Sequence, residues 1–124
     1  MPLLTLALKD LSECMLKEYF IYNVDLGTTD GHVQGYSRPA IVIKALNELN
    51  MCIIIPLTSK IESQRLPYTV LIKKAHSTNL KEDSVALVFQ LRSIDNKIIG
   101  NEIGKLEEYQ IGKIKAMMKE MFAV

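Results

Sequence analysis

An arginine opens one β-branched run, Arg38-Pro39-Ala40-Ile41-Val42-Ile43, and a threonine with a serine closes the next, Ile53-Ile54-Ile55-Pro56-Leu57-Thr58-Ser59. A guanidinium presents a planar fork of donors, and a hydroxyl beside it adds another, so together they can grip a phosphate. The segment between the runs, Leu46-Asn47-Glu48-Leu49-Asn50, reads as a loop. Antiparallel pairing about a turn centred on Glu48 makes positions 38 and 58 equidistant from that centre. They then face each other across the ladder, with Cβ atoms roughly 5 Å apart. The same residues also fit a solvated strand-end arginine and an ordinary strand threonine.

Other site chemistries find no pattern. His32 and His76 are too distant in sequence to suggest a ligand motif, and no HExxH or paired Cys/His spacing exists, so neither metal nor cofactor is expected. No glycine-rich phosphate loop opens a helix, and no Gly-x-Ser-x-Gly elbow is present. Cys14 and Cys52 stand far apart and read as reduced, buried thiols, compatible with a cytoplasmic protein. Formal net charge is +1, so any nucleic-acid contact must come from a local patch rather than a global field. The apolar start, Met1 to Leu8, lacks a preceding basic region and ends at Lys9-Asp10, which argues against a signal peptide. No apolar run approaches the roughly 18 residues of a spanning helix. A soluble, cytoplasmic protein away from membranes is expected.

The elements that must carry Arg38 and Thr58 follow from periodicity. The 124 residues suit one domain, 1–124. Pro2 to Lys17 reads as an amphipathic helix, with Leu4, Leu8, Leu11 and Met15 in helical period. Strands are expected at Phe20–Leu26, Arg38–Ala45, Met51–Thr58, Tyr68–Lys73 and Val85–Ser93, with a weaker one near Ile98–Ile103. Gly27 to Ser37 is a polar loop. Glu107 to Phe122 reads as a helix whose apolar stripe is Ile111, Ile114, Met118 and Met121; Met117, Met118 and Met121 read as core filler. Several short strands with hairpin connections favour an α+β unit built on a closed antiparallel barrel.

Gln34-Gly35-Tyr36-Ser37-Arg38-Pro39-Ala40-Ile41-Val42-Ile43 resembles the "QGGxRPxLVI" segment of the MazF/PemK family of toxin endoribonucleases. Further blocks match in the same order. Pro56-Leu57-Thr58-Ser59 resembles "xxTS", and Asn79 to Leu87 resembles "GLxxDSVIL". Gln90-Leu91-Arg92-Ser93-Ile94-Asp95 resembles "QIRTID", and Ile103-Gly104-Lys105-Leu106 resembles "IGxL". The resemblance runs from about Tyr22 to the C-terminus. It implies a small SH3-like barrel of the plasmid maintenance toxin/cell growth inhibitor type, with a C-terminal helix, forming a homodimer. Residues 1–18 would be an extra N-terminal helical extension.

The resemblance also implies an activity: the toxin of a type II toxin–antitoxin module, a metal-independent endoribonuclease cutting single-stranded RNA at a short sequence. The 2′-hydroxyl attacks the adjacent phosphate, leaving a 2′,3′-cyclic phosphate and a 5′-hydroxyl. A cognate antitoxin protein would restrain it. Arg38 and Thr58 match the catalytic arginine and threonine. Gln34, Ser37, Ser59, Gln90 and Arg92 are the candidate RNA contacts, and His32 is a candidate for proton transfer or a solvated loop histidine. Ser59 points to the face opposite Thr58 if the strand continues. Gln90 and Arg92 share a face in a regular strand; Gln90 also fits an exposed strand amide, and Arg92 a partner for a carboxylate at a dimer surface. The chain departs from the family pattern at Tyr19-Phe20, where glycine-aspartate is usual. It departs again at Pro67-Tyr68-Thr69-Val70, which lacks the histidine of "PTHV", and at Phe89, where a glutamate is usual. Two other readings carry no nuclease: a CcdB-like topoisomerase poison on the same fold, and a degenerate interaction module.

Overall fold

Isoleucine and valine crowd two long runs of the chain, and stiff β-branched side chains pack best on a pleated surface. Those runs become adjacent antiparallel strands, β2 (Ser37–Leu46) and β3 (Met51–Thr58), in a computed structural model that describes residues 15–26 and 37–124. Around them stand β1 (Phe20–Asp25), β4 (Thr69–Ile72), β5 (Ser84–Leu87), β6 (Arg92–Asp95) and β7 (Ile99–Lys105). Among the described residues a single long helix, α1 (Glu108–Phe122), follows. The seven strands form one sheet in the order β4-β5-β3-β2-β1-β7, with β6 also paired to β3. Every ladder is antiparallel. The path is open: no ladder joins its end strands β4 and β7 among the described residues.

Alternation along the strands gives the sheet two apolar faces. On the helix side, Ile21, Ile41, Ile55, Leu57, Val70, Ile72 and Ala86 pack with Ile114 of α1. The predicted stripe is present: Ile111, Met117, Met118 and Met121 lie against this cluster. On the far face, Tyr22, Val24, Ala40, Val42, Cys52, Ile54 and Ile94 form a second cluster. The start of α1 is tied to the sheet by Gln110, 1% exposed. Its Oε1 accepts from the Glu107 N–H at 2.8 Å, and its Nε2 donates to the Lys73 carbonyl at 3.3 Å. Both ends of one buried amide are thereby satisfied, as burial demands.

The turn between β2 and β3 is a short 3-10 segment, Asn47–Leu49, closed by Asn50 at φ 55°. Asparagine tolerates that left-handed conformation better than most side chains. The single strand expected over Val85–Ser93 is two, β5 and β6, split by a 3-10 turn at Val88–Gln90. β3 explains the split. From the Ile54–Arg92 pair to the Leu57–Ala86 pair, β3 advances three residues while its neighbour spans six. The surplus is accommodated by the turn, with Val88 sunk in the helix-side core and Leu91 N–H donating to Val88 O at 3.0 Å. The helix expected at Pro2 to Lys17 lies outside the described residues except for 15–17, which carry no regular structure. Ser37, expected in the loop, opens β2, and the rest of that loop lies outside the described residues. Among the described residues no helix is long and apolar enough to cross a membrane.

Candidate active site

The strand register brings Arg38 and Thr58 into line. Ala40 pairs with Pro56, so two further steps along each strand reach Arg38 and Thr58. Both therefore belong to the far face, the face of Ala40, Val42 and Ile54. The β2–β3 ladder itself stops at Ala40–Pro56, short of the opposed pair that the sequence suggests. Proline supplies the reason: Pro39 and Pro56 bracket the ladder's end, and neither has an N–H to continue it. Beyond that point Arg38 is held by β1, opposite Val24, and Thr58 by β5, opposite Val85. Each functional side chain thus stands on a strand fixed from its outer side. Both are partly buried, at the boundary between the second apolar cluster and solvent.

The Thr58 hydroxyl is oriented by its own turn. Its Oγ1 accepts from the Lys60 N–H at 3.2 Å. A hydroxyl has two acceptor positions and one donor. The turn occupies one of the acceptor positions, and the proton stays available for an oxygen on the far face.

Arg92 joins the same face. It pairs with Ile54, and opposed residues point the same way, so Arg38, Thr58 and Arg92 all stand on one side of the sheet. Gln90 does not share a strand face with Arg92, contrary to the regular-strand expectation. It ends the 3-10 turn, exposed, between β5 and β6. Ser37 and Ser59 are set apart from Arg38 and Thr58 by alternation, as the sequence suggests for Ser59. Ser37 pairs with Asp25 at the sheet's end, and Ser59 opens onto the helix side. Gln34 and His32 lie outside the described residues. Among the described residues no group of three His, Cys, Asp or Glu side chains could hold a metal ion.

Sequence reasoning missed a cleft of about 660 Å³ on the helix side. Asn23 of β1, Pro39 of β2 and Ser59, just past the end of β3, line it, with Asn79 and Asn101 also in its wall. Pro39 and Ser59 are the chain neighbours of Arg38 and Thr58, so cleft and site share two strand ends on opposite faces. Nothing in the spacing marks this, because its lining comes from five separated segments. Lys60 was also missed; its adjacency to Thr58-Ser59 was the available signal.

The chain's similarity to known proteins agrees with this geometry. Residues 17–122 match the family model described as "PemK-like, MazF-like toxin of type II toxin-antitoxin system". The Bacillus subtilis (strain 168) protein named Endoribonuclease EndoA is 28% identical over 115 residues, covering 89% of this chain and 97% of that one. The fold is that of a MazE–MazF crystal structure from Deinococcus radiodurans, TM-score 0.70 at 19% identity, covering 88% of this chain and 96% of that one. A mycobacterial endoribonuclease solved with its cognate antitoxin gives TM-score 0.68 at 12% identity, again covering 88% and 96%. With the matched segment spanning nearly the whole sheet, α1 and both strand ends, this chain belongs to the PemK-like, MazF-like toxins of type II toxin–antitoxin systems.

Proposed function

We propose that this chain is the toxin of such a module and acts as a metal-independent endoribonuclease on single-stranded RNA. The 2′ oxygen of a ribose attacks the adjacent phosphorus. The new P–O2′ bond forms as the P–O5′ bond breaks; the 2′-hydroxyl loses a proton and the departing 5′ oxygen gains one. A 2′,3′-cyclic phosphate and a 5′-hydroxyl remain. The pentacovalent intermediate gathers negative charge on its non-bridging oxygens, and the protein's task is to align the attack and neutralise that charge. Arg38 supplies the cation and the donor fork; a guanidinium holds its proton too tightly to serve as the base. Thr58 donates its hydroxyl proton to the same phosphate. Arg92 and the exposed Gln90 extend the surface for flanking nucleotides, the amide being able to donate and accept on a base edge.

One observation carries the reading: the strand register that aligns Arg38 with Thr58 on one face, inside the family-matched segment. The Bacillus subtilis relative's name supports the activity. Neighbours solved with antitoxins support a protein antitoxin as partner. The proposal includes a single domain whose sheet curls toward an SH3-like barrel, since strands from β1 to β5 feed one helix-side core. It also includes a homodimer working in the cytoplasm, where its RNA is. Tyr109 and Phe122 of α1, each more than half exposed, support self-association. The test is incubation of the purified protein with long RNA in EDTA, with the new ends mapped. Cleavage should persist, leave cyclic phosphates, and vanish where the attacking 2′-hydroxyl is replaced by hydrogen. Cleavage that needs a divalent cation, or that survives the deoxy substitution, overturns the mechanism.

A further inference from the structure

Tyr68 and Phe89 are large aromatic residues left 41% and 42% exposed. The backbone joins them, with the Phe89 N–H donating to Tyr68 O at 3.3 Å. Tyr68 has φ 60°, in the left-handed region that bulky side chains adopt only at a cost. Tyr19 is in the same region at φ 64°, but it packs against the helix-side core and lies under Lys115 Nζ, 5.5 Å from the ring centroid. Tyr68 has no comparable burial to offset its strain. Strained residues that the core does not use concentrate at binding sites.

The aromatic pair borders the far face. Leu87 pairs with Thr69, which sets Tyr68 beside the end of β5. Ala86 and Val88 enter the helix-side core, and Phe89, next in the turn, is left outside it. Along β3, Val85 sits opposite Thr58 and Arg92 opposite Ile54, so Phe89 and Gln90 fill the interval. Four residues of strand span roughly 13 Å, within reach of the nucleotides flanking a phosphate at Thr58. Exposed Lys60, Arg65 and Arg92 lie in the same stretches of chain, against one carboxylate, Glu62. A polyanion with flat, unpaired rings fits both the charge and the aromatics.

We propose that Phe89 and Tyr68 form a stacking platform for one unpaired base of the RNA, next to the cleaved bond. Phe89 stands where the family pattern has a glutamate, so this chain presents a ring for stacking in place of a carboxylate. The inference rests on the nuclease reading for its substrate, but its test does not depend on cleavage. Uncleavable 2′-O-methyl oligonucleotides of varied sequence carry 2-aminopurine at one position at a time, and stacking quenches its fluorescence. The wild type should quench at one position. Phe89→Leu should lose that quench and bind about ten- to a hundredfold more weakly, and Phe89→Trp should restore both. Tyr68→Gly should also weaken binding while leaving Tm unchanged or raised, since it removes the strain with the ring. Arg38→Ala should retain the quench at saturating oligonucleotide while cutting unmodified RNA about 100- to 1,000-fold more slowly than the wild type. Quenching of these probes by a wild type that fails to cut unmodified RNA would overturn the nuclease reading and leave the platform standing. Absence of quenching, wild-type binding by Phe89→Leu, or a lowered Tm with unchanged binding in Tyr68→Gly would overturn the platform. So would a Phe89→Leu variant that instead turns a dimer into monomers, because the rings would then be an interface between copies.

Discussion

Lys44 pairs with Ile53, one residue out of step with the Val42–Ile54 pair, and this slip decides which hydroxyl lies in line with Arg38. Near the turn, Leu46 pairs with Met51 and Ala45 with Cys52. Carried on unbroken, that register would set Arg38 against Ser59. The extra residue at Ile43 shifts it by one, and Thr58 takes the position instead. A bulge of this kind re-aims every side chain beyond it, because one residue of slip exchanges the faces of a strand.

A cross-linking experiment reads this register directly. Arg38→Cys combined with Thr58→Cys should close a disulfide under mild oxidation, because both positions extend one face of the sheet two residues past the Ala40–Pro56 pair. Arg38→Cys with Ser59→Cys should not, its side chains being on opposite faces. A Cys14→Ser background leaves only Cys52, buried and too weakly ionised to compete. Preferential cross-linking of the 38–59 pair would assign the hydroxyl to Ser59.

The catalytic assignment predicts unequal losses. Arg38→Ala removes the main positive charge facing the phosphate, and loss of one such donor costs about 100- to 1,000-fold in rate. Thr58→Ala removes a neutral hydrogen bond and should cost less, while Thr58→Ser keeps the hydroxyl and should stay nearer wild type. Circular dichroism should find all three folded. Wild-type cleavage by Arg38→Ala would remove that residue from the site.

The register was legible in sequence only through a compensation. A turn centred on Glu48 predicts the alignment of positions 38 and 58, but the turn alone gives a different one, and the bulge at Ile43 corrects it. Nothing in Ile41-Val42-Ile43-Lys44 announces a bulge, since every residue there suits a regular strand. β3, β1 and α1 were readable to within a residue because their apolar spacing matches one face of one neighbour. β5 and β6 were not, because Val85–Ser93 is uniformly strand-like, and the break is imposed by where β3 pairs on each side of it. Arg92 stands on the site's face because β6 begins with it and pairs it with Ile54, a placement the sequence did not show. The helix-side cleft was invisible, being assembled from segments that the sequence keeps apart.

Cys52 should give stability a pH limit. Burial on the far face, with 0% exposure, pushes its thiol from 9.0 up to about 11. A pKa raised by folding means the folded state disfavours the thiolate. The stability it contributes is therefore whole below pH 9 and is lost as pH climbs from there through about 11. Urea unfolding of wild type and Cys52→Ala should run parallel at neutral pH. The gap between them should shift in favour of the variant by about 2 kcal/mol in alkali. The comparison cancels every other alkaline effect, since both proteins share the remaining residues. A pH-independent gap would mean that water reaches the thiol.

Gly104, in the block resembling "IGxL", has a packing reason to be glycine. A Cβ there would lie 2.3 Å from Thr78 O and 2.6 Å from Ser77 O, both backbone atoms. Those atoms cannot step aside cheaply. Thr78 is fully buried, with its hydroxyl donating to Ala75 O at 3.0 Å and accepting from the Ala75 N–H at 2.9 Å. The Lys105 N–H donates to Ser77 O at 2.9 Å, and Asn79 Nδ2 to Ile103 O at 3.1 Å. Relieving the clash means breaking this lacing between β7 and the loop that precedes β5. Gly104→Ala should therefore lower unfolding free energy by roughly 2–4 kcal/mol, within the range of severe overpacking. The loop lies on the helix side and Arg38 and Thr58 on the far face, so the folded variant should keep its kcat at low temperature. An unchanged urea midpoint would show the loop free to move. A large fall in kcat with a normal midpoint would show that the two faces of β2 and β3 are coupled, and the independence assumed for the site would be wrong.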